Sequence, residues 1–266
     1  MNKTWRIILD QEHSGAYNMA CDEALLEGYS HAGVPTLRVY GWNVPCISLG
    51  YNQRAKQVLS AQSILPVVRR MTGGASILHQ DEITYSIILS VKDLCLSKNV
   101  KESYVALSSF LIDFYDTLGL KAVFADNIPC RKTESYGSYC YSNCHPYDLV
   151  VNGKKIGGNA QRRKKEIIFQ HGSIPLSLNR QFIKKEINPC PNLDEATCLR
   201  ELMNKEFDFN FLKHVLAGSF CRRFSVSYKN TGLSYYESGM IIQLIEGKYA
   251  KKEWNLYRNE KTALAS

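Results

Sequence analysis

The amino-acid sequence predicts an α+β fold, with strands and helices mixed over residues 1–180 and helices dominating residues 181–266. Two observations support this prediction. Short apolar runs bounded by Gly, Pro and Asn recur through the first part and are typical of strands. After the segment Asn179–Cys190, apolar residues recur mainly at helical spacing. We therefore expect a mixed core followed by a helical C-terminal part of the same module.

The local pattern assigns most of the elements in order. Strands are predicted at Trp5–Leu9, Pro35–Trp42, Cys46–Tyr51, Ile83–Leu89, Lys121–Ala125, Ile167–Leu178 and Ser225–Tyr228. Helices are predicted at Ala16–Tyr29, Gln53–Gln62, Glu102–Leu118, Asp194–Met203, Phe209–Phe220 and Ser234–Glu246. Because Asn152-Gly153 is a strong signal for a two-residue turn, Tyr147–Val151 and Lys154–Gly157 are predicted to form a hairpin.

Polar residues suggest the character of two segments and of one helix face. Asn127–Pro146 is rich in Ser, Tyr and Cys and lacks periodicity, so we expect a long loop of the kind that is often functional. Asn159–Glu166 is basic and is predicted to be irregular. On the first predicted helix, Asn18, Asp22 and Glu23 are expected to form the face that meets solvent.

The composition is that of a globular protein. The chain has 266 residues, of which 45% are hydrophobic and 22% are charged, so it can hold one large domain. No apolar run is long enough to span a bilayer and the first residues do not form a signal peptide, so we expect no membrane association and a cytoplasmic location. Nine cysteines without framework spacing agree with a reducing compartment.

The net charge of +8 favours an acidic partner. Basic residues concentrate at Lys154–Lys165 and Lys248–Lys252. Basic patches interleaved with aromatic residues, which are typical of nucleic-acid-binding proteins, are not evident, so nucleic acid is not the expected partner. A solvated surface explains the same residues equally well.

The stretch Val67–Ser86 contains the first candidate site. It is predicted to form a strand, a tight turn at Gly73-Gly74 and a second strand, and the two glycines would let a ligand approach bare backbone N–H groups. Arg69 and Arg70 point to opposite faces of a strand, so one of them could face a ligand while the other holds neighbouring chain. An ordinary hairpin with a solvated arginine pair is the alternative.

A second candidate is the cluster of Cys140, Cys144 and His145, with Cys130 nearby. Its spacing does not match a zinc finger or a zinc ribbon, so no metal is predicted. A cysteine nucleophile is better motivated, because nearby lysines would stabilise a thiolate. Structural or incidental cysteines remain the alternative.

Lys155 and two histidines complete the candidates. Lys155 stands at a strand end beside Gly157-Gly158, where it could stabilise negative charge developing on a carbonyl or phosphoryl oxygen. A solvated hairpin lysine is the alternative. His79 and His171 each stand alone beside strand residues, and such histidines are more often part of hydrogen-bonded structure than catalysts.

Taken together, the motifs of the chain are far more specific than any one of them. In order they are W-R-I-I-L-D, N-M-A-C-D-E-A-L-L, P-T-L-R-V-Y-G-W, I-S-L-G-Y-N-Q, R-R-M-T-G-G-A-S-I-L-H-Q-D-E-I-T-Y-S, Y-D-L-V-V-N-G-K-K-I-G-G-N-A-Q, I-I-F-Q-H-G-S-I and K-Y-A-K-K-E-W-N. With these motifs the chain resembles the biotin/lipoate protein ligase superfamily, and within it the lipoate-ligase-like octanoyltransferases. The match covers most of the chain and fades through Asn179–Arg223.

The resemblance implies a mixed β-sheet that cradles an acyl chain, with helices behind it. It implies an enzyme that places an octanoyl or lipoyl group on one lysine of a lipoyl domain, as found in 2-oxoacid dehydrogenases and in the glycine cleavage H protein. The donor would be octanoyl-acyl carrier protein or a lipoylated carrier protein. These partners are generally acidic, which would explain the net charge of +8.

The same resemblance assigns roles to particular residues. Cys140, seven residues before Tyr147, would be the nucleophile, with Cys144 in reserve, and Lys155 would contact the acyl carbonyl. The substrate-binding residues that it implies are Arg69, Arg70, Thr72, Gly73, Gly74, His79, Gly157, Gly158 and Ala160.

Two mechanisms remain open. A transferase would act through a thioester on Cys140 and would need no cofactor. An ATP-dependent lipoate-protein ligase would act through lipoyl-adenylate and would need ATP and Mg but no cysteine nucleophile. The short sequence after K-Y-A-K-K-E-W-N has no room for the accessory domain that many ligases carry, which favours the transferase. Ala75, Ser76 and Gln80 depart from the family pattern and leave a non-catalytic acyl-group binder as a third alternative.

Overall fold

A mixed six-stranded sheet forms the centre of the fold in the computed structural model, which describes residues 4–127 and 138–258. The strands are β1 (Trp5–His13), β2 (Thr36–Trp42), β3 (Cys46–Leu49), β4 (Val67–Arg69), β5 (Ile77–His79), β6 (Glu82–Ser90), β7 (Ala122–Phe124), β8 (Leu149–Val151), β9 (Lys154–Lys155), β10 (Gly158–Lys164), β11 (Ile167–Pro175) and β12 (Tyr228–Asn230). The helices are α1 (Gly15–Ala32), α2 (Val100–Ser108), α3 (Phe110–Thr117), α4 (Arg180–Glu186), α5 (Leu199–Met203), α6 (Phe209–Phe224), α7 (Tyr235–Leu244) and α8 (Lys252–Asn255).

The central sheet has the strand order β10-β11-β6-β2-β1-β12. The β1 pairs with β2 and β12 are parallel, and the other neighbours are antiparallel. Two three-stranded sheets, β4-β3-β5 and β7-β8-β9, stand beside it. The predicted α+β fold with a mixed sheet and flanking helices is therefore confirmed.

Helices cover both faces of the central sheet. On one face, α3 and α6 bury aromatic residues such as Phe110 and Phe220 against Tyr85 of β6. On the other face, α1 packs over β2 and β6 and is itself covered by α7. Burying apolar side chains from both faces is the main term that stabilises such a layered fold. Within the described ranges, no helix is long and apolar enough to cross a membrane.

The alternative interpretation of Val67–Ser86 as an ordinary hairpin is wrong. Strands β4 and β5 do not pair with each other, because β3 lies between them and pairs with both. The connecting chain crosses the end of β3 so closely that a Cβ on Gly50 would lie 1.9 Å from the carbonyl oxygen of Gly74. The glycines thus serve a close crossing of two backbones instead of a two-residue turn.

Asn159–Glu166 is a regular strand for most of its length, not the irregular segment predicted. It forms most of β10, which pairs with β11 from Gly158 opposite Ser173 to Lys164 opposite Ile167. Strand β10 is the edge of the sheet, where charged side chains are common because one side of the strand meets water. Because the segment is basic and not alternating in polarity, its sequence does not indicate the ordinary hairpin that β10 and β11 form.

Three predicted helices are shorter or interrupted. Gln53–Gln62 contains only the 3₁₀ turn Ala55–Gln57. The long helix predicted at Glu102–Leu118 divides into α2 and α3 at Ser109, whose hydroxyl donates to the carbonyl of Ala106 at 2.7 Å and competes with the helical ladder.

The helix predicted at Asp194–Met203 is confined to α5. The preceding chain is drawn beside Lys155 instead, since the Lys155 N–H donates to Glu195 O and the Thr197 N–H donates to Lys155 O. These bonds hold residues 195–197 beside β9, with Ala196 bridged to Lys155, and they fix the backbone of the candidate lysine.

The expected solvent face of α1 is partly wrong. Asn18 and Asp22 are fully buried, while Glu23 is partly exposed and pairs with Lys248. Asp22 accepts hydrogen bonds from Arg38, from Tyr40 and from the Ser86 hydroxyl on the sheet beneath it. A carboxylate in a helix thus faces the core because the sheet supplies an arginine to compensate its charge.

Candidate active site

A cavity lies between the central sheet and α1, and we call it the inner cavity. Its floor consists of residues of the four neighbouring strands β10, β11, β6 and β2. Met19 of α1 and the chain around β4 and β5 complete the lining. The lining residues are Met19, Tyr40, Trp42, Arg70, Gly74, Ala75, Ile77, His79, Thr84, Cys140, Gly158, Asn159, Ala160, His171, Gly172 and Ser173.

Cys140 lies at the β10 end of the inner cavity, in the single 3₁₀ turn Cys140–Ser142. Its backbone N–H donates to the carbonyl of Ser76 at 2.8 Å, which ties the turn to the chain entering β5. A Cβ on Gly158 would lie 2.6 Å from Cys140 Sγ. The absence of a side chain at position 158 is therefore what makes room for the sulfur.

Lys155 places a buried ammonium beside this sulfur. Its Nζ lies 3.6 Å from Cys140 Sγ and donates to the Cys140 carbonyl at 3.0 Å and to the Asn143 carbonyl at 2.9 Å. It also forms an ion pair of 2.7 Å with Asp148 Oδ2, and both side chains are almost completely buried. The lysine is thus held in one orientation by four neighbouring atoms.

The ion pair keeps the lysine charged. Burial alone would lower the pKa of Lys155, but negative charge on Cys140, Asp148 and Cys144 outweighs burial and raises the pKa above its ordinary value. At neutral pH the ammonium therefore remains a fixed positive charge beside the cysteine, where it stabilises a thiolate or an oxyanion.

Arg70 is a second cation on the wall of the inner cavity. Its guanidinium donates to the carbonyl and hydroxyl of Ser48 and to the carbonyls of Gly73 and Ala75, so it holds the crossing chain in place. Burial lowers the pKa of Arg70 to about 10, which still leaves it charged at neutral pH. Gly74, with φ of +90°, bends the same chain around the guanidinium.

His79 has both ring nitrogens occupied. Nε2 lies 2.7 Å from Ser48 Oγ, and Nδ1 lies 2.7 Å from Glu82 Oε1. The ring also stacks on Trp42 with the ring centres 3.8 Å apart. These contacts give His79 a supporting role in the cavity wall.

The floor of the inner cavity contains polar side chains, but these form hydrogen bonds with one another. Glu82 accepts hydrogen bonds from the hydroxyls of Thr84 and Ser173, and the Trp42 indole donates to Thr84. His171 Nε2 lies 2.8 Å from the Thr72 hydroxyl. Because these polar atoms bind one another, the cavity presents mainly carbon surface and suits an apolar ligand.

A second cavity, which we call the outer cavity, begins on the other side of Cys140. Its lining residues are Gly74, Ala75, Val100, Lys101, Tyr104, Cys140, Asn143, His145, Pro146, Tyr147, Asp148, Lys155 and Asn159. Cys140 lines both cavities and therefore stands where they meet. A ligand with an apolar tail in the inner cavity would place its reactive head group at Cys140 and Lys155.

The predicted site residues separate into two groups. Those that line at least one of the two cavities are Cys140, Lys155, Arg70, Gly74, His79, Gly158 and Ala160. The others, namely Arg69, Thr72, Gly73 and Gly157, line neither cavity.

The second group supports the site from outside. Arg69 donates to carbonyls of the C-terminal segment and of the chain after β3, Thr72 orients His171, and Gly73 is exposed. A Cβ on Gly157 would lie 2.9 Å from the carbonyl oxygen of Ser173. Of the two adjacent arginines, Arg70 therefore lines the inner cavity, while Arg69 holds neighbouring chain.

Several residues of the site were not predicted from the sequence, among them Asp148, Met19 and Asp22. Asp148 was not selected, although its position beside Tyr147 at the start of the hairpin was a possible signal for a partner of Lys155. Helical periodicity does not reveal what covers a helix, so it indicates neither Met19 nor Asp22 as part of a site. The packing of α1 on the sheet brings Met19 into the cavity and Asp22 against Ser86 of β6.

The described residues contain no group of three His, Cys, Asp or Glu side chains that could hold a metal ion. Cys130, which the sequence placed near the cysteine cluster, lies outside the described residues. Cys144 is partly buried and lines neither cavity.

Comparison with known proteins shows the family of the chain. The chain matches the lipoyl protein ligase A/B catalytic domain over residues 14–221. It is 34% identical to octanoyltransferase LipM of Anoxybacillus flavithermus, over 96% of this chain and 99% of the relative. It is also 34% identical to octanoyltransferase LipM of Bacillus subtilis, with the same two coverages.

Solved structures show the same fold at low sequence identity. A lipoate-protein ligase A bound with ATP matches with a TM-score of 0.79 at 17% identity, over 95% of this chain and 98% of that chain. The bipartite lipoate protein ligase of Thermoplasma acidophilum matches with a TM-score of 0.76 at 17% identity, over 95% and 96%. The resemblance inferred from the motifs is confirmed, and the chain belongs to the lipoyl protein ligase A/B catalytic domain family.

Proposed function

We propose that this protein is an octanoyltransferase that moves an octanoyl group from a carrier-protein thioester to a lysine of a lipoyl domain, through a thioester on Cys140. The observation that carries the proposal is the position of Cys140, where the two cavities meet and 3.6 Å from the ammonium of Lys155. The relatives called octanoyltransferase LipM, which match over almost the whole chain, support octanoyl as the group transferred.

In the first step, the Cys140 thiolate attacks the carbonyl carbon of the donor thioester. The octanoyl tail occupies the inner cavity and the carrier's arm leaves through the outer cavity. The new carbon–sulfur bond forms on Cys140, the bond to the carrier's sulfur breaks, and the carrier's thiolate takes up a proton. Lys155 stabilises the attacking thiolate and the oxyanion of the tetrahedral intermediate.

In the second step, the neutral amine of the target lysine enters through the outer cavity. It attacks the acyl carbon on Cys140, loses its proton, and forms the amide, while Cys140 leaves as the thiolate that Lys155 again stabilises. The sum is one thioester and one amine converted to one amide and one thiol. The transfer requires no nucleotide, whereas ligase chemistry through an acyl-adenylate would require ATP and Mg.

The expected partners follow from the two steps. The donor is octanoyl-acyl carrier protein or another acylated carrier protein, and the acceptors are lipoyl domains of 2-oxoacid dehydrogenases or of the glycine cleavage H protein. These carriers are acidic, and the net charge of +8 would speed their encounter with the enzyme.

The test is the intact mass of the protein after mixing with octanoyl-acyl carrier protein in the absence of ATP. Wild-type protein is expected to gain one octanoyl group, about 126 Da, and the Cys140→Ala variant none. Cys144→Ala serves as the matched control and is expected to gain the group. Transfer of the label to an added lipoyl domain shows that the adduct is an intermediate.

The opposite result would identify a ligase. If wild-type protein gains no mass, and Cys140→Ala still modifies a lipoyl domain when ATP, Mg and the free acid are supplied, the thioester route is wrong. A non-catalytic acyl binder would give neither the adduct nor a modified lipoyl domain.

A further inference from the structure

The inner cavity runs across the central sheet, perpendicular to its strands. Gly158 of β10 pairs with Ser173 of β11, Ser173 pairs with Thr84 of β6, and Thr84 pairs with Tyr40 of β2. All four residues line the cavity. Cys140 lies beside Gly158, at the β10 end of this row.

The length of the row can be compared with that of an acyl chain. The row crosses three spaces between neighbouring strands, a distance of about 14 Å. An extended eight-carbon acyl chain measures about 9 Å from its carbonyl carbon, and a twelve-carbon chain about 14 Å. Allowing for the sulfur at one end and the terminal methyl radius at the other, eight carbons fill the row and twelve exceed it.

Beyond Thr84 the row ends at Tyr40 and Trp42 of β2, and Met19 of α1 lies in the same apolar cluster as these two residues. Two of these are fixed by polar contacts: the Tyr40 hydroxyl donates to Asp22 at 2.9 Å, and the Trp42 indole donates to Thr84 at 2.8 Å. Met19 is buried in the same apolar cluster, and its side chain has no hydrogen-bonding group that must be kept paired. It is therefore the adaptable part of the end wall.

We propose that Met19 sets the length of the acyl chain that the enzyme accepts, by closing the inner cavity about eight carbons from Cys140. This inference rests on the proposed function, since it assumes that the acyl group is attached at Cys140. Shortening the side chain at position 19 lengthens the cavity along the direction of the acyl chain, whereas a larger side chain shortens it.

The experiment is a competition among acyl thioesters of six, eight, ten and twelve carbons, supplied together on acyl carrier protein. The acyl-enzymes formed at short times are resolved by intact mass. Wild-type protein is expected to carry mainly the octanoyl group. In Met19→Ala, the ratio of dodecanoyl to octanoyl adduct is expected to rise by about tenfold or more, because each methylene that finds an apolar site favours binding.

Two further variants make the comparison sharp. Met19→Phe is expected to shift the adduct towards hexanoyl and gives a second measurement if Met19→Ala folds poorly. Met240→Ala removes the same side chain from the periphery of the same apolar cluster without touching the cavity, and is expected to retain the wild-type chain-length ratio.

The result that overturns the inference is an unchanged chain-length ratio in both Met19 variants while an acyl-enzyme still forms. Equal use of octanoyl and dodecanoyl groups by wild-type protein would also overturn it. If the proposed function is wrong, the result is distinguishable from this one, because no acyl chain of any length then forms an adduct on Cys140 in any variant. That result would overturn the inference as well.

Discussion

The ammonium of Lys155 lies 3.6 Å from the sulfur of Cys140, and the pair is joined to Asp148 by an ion pair of 2.7 Å. A second cation of the inner cavity, Arg70, directly follows β4, and both Arg70 and Lys155 are held by backbone carbonyls as well as by side chains. Such preorganised positive charge stabilises a thiolate or an oxyanion without reorganisation during the reaction.

Replacing Lys155 by Met is expected to slow acyl-enzyme formation on the order of 10²-fold or more, since the positive charge beside Cys140 is lost. The variant would also be destabilised by about 3–5 kcal/mol, because Asp148 is left buried without its partner. Single-turnover mass spectrometry and urea unfolding would measure the two effects.

The double variant Asp148→Asn/Lys155→Met separates stability from catalysis. It removes the uncompensated carboxylate and is expected to recover much of the lost stability while the acylation rate remains low. Recovery of both would mean that Lys155 acts only through the fold. Lys154→Met, at the exposed neighbouring residue, serves as the surface control.

Gly158→Ala is expected to inactivate the protein with little change in its overall fold. The added Cβ would lie 2.6 Å from Cys140 Sγ and must displace the sulfur from the junction of the two cavities. The loss of activity would be measured as a slower reaction of Cys140 with octanoyl-acyl carrier protein. The circular dichroism spectrum of the variant should match that of wild type.

Gly239→Ala is the matched control for this substitution. Gly239 lies within α7, and no heavy atom lies within 4 Å of the added Cβ, so alanine should stabilise the helix by about 0.5–1 kcal/mol. Equal activity of Gly158→Ala and Gly239→Ala would contradict the assigned role of Gly158.

Arg69→Met is expected to destabilise the protein by a few kcal/mol, about 2–4, because several buried carbonyls lose their donor. The guanidinium of Arg69 donates to the carbonyls of Trp254 and Asn255 and to those of Gly50, Tyr51 and Gln53. It thereby ties the C-terminal segment to the chain after β3.

Limited proteolysis would locate this effect. Cleavage in the segment around α8 should become faster in Arg69→Met than in wild type, while the central sheet stays protected. Unchanged cleavage there would show that Trp254 and Asn255 are held by other contacts.

Stability should fall as the pH is lowered below about 6.5, and His171 should account for part of the fall. Burial lowers the pKa of His171, Asp22 opposes this effect, and the charges of Arg70 and His79 add to it. The unfolded state therefore binds the proton more readily than the native state. The contribution of His171 to the free energy of unfolding is fully present above about pH 6.5, the pKa of histidine in the unfolded state. Below that pH the contribution is lost by up to about 1.4 kcal/mol per pH unit.

Urea unfolding between pH 7.5 and 5 would measure this slope, with His171→Gln for comparison. The variant should show a shallower pH dependence whatever its absolute stability. Asp22, whose pKa is lowered by His171 and Arg38 despite its burial, loses its contribution only below about pH 4 and does not affect this range. Equal slopes in the two proteins would contradict the prediction.

Local pattern was sufficient for most strands and for the long helices. Apolar periodicity identified α1, α6 and α7, and Asn152-Gly153 identified the hairpin of β8 and β9. The pattern failed where tertiary contacts override it, as at the edge strand β10 and in residues 195–197, whose backbone bonds to Lys155 instead of forming a helix. Pairing partners that are far apart in sequence leave no local periodicity.

The sequence by itself determined the family, the mixed fold and the residue types of the site, because glycines at a close crossing and a lysine beside a turn leave local signals. Only the tertiary structure decided which of these residues meet. It decided that Arg70 and not Arg69 lines the inner cavity, paired Asp148 with Lys155, and set Cys140 where two cavities join. It also turned Met19 and Asp22 of α1 towards the sheet, because the burial of a helix face depends on what packs against it and not on the helix alone.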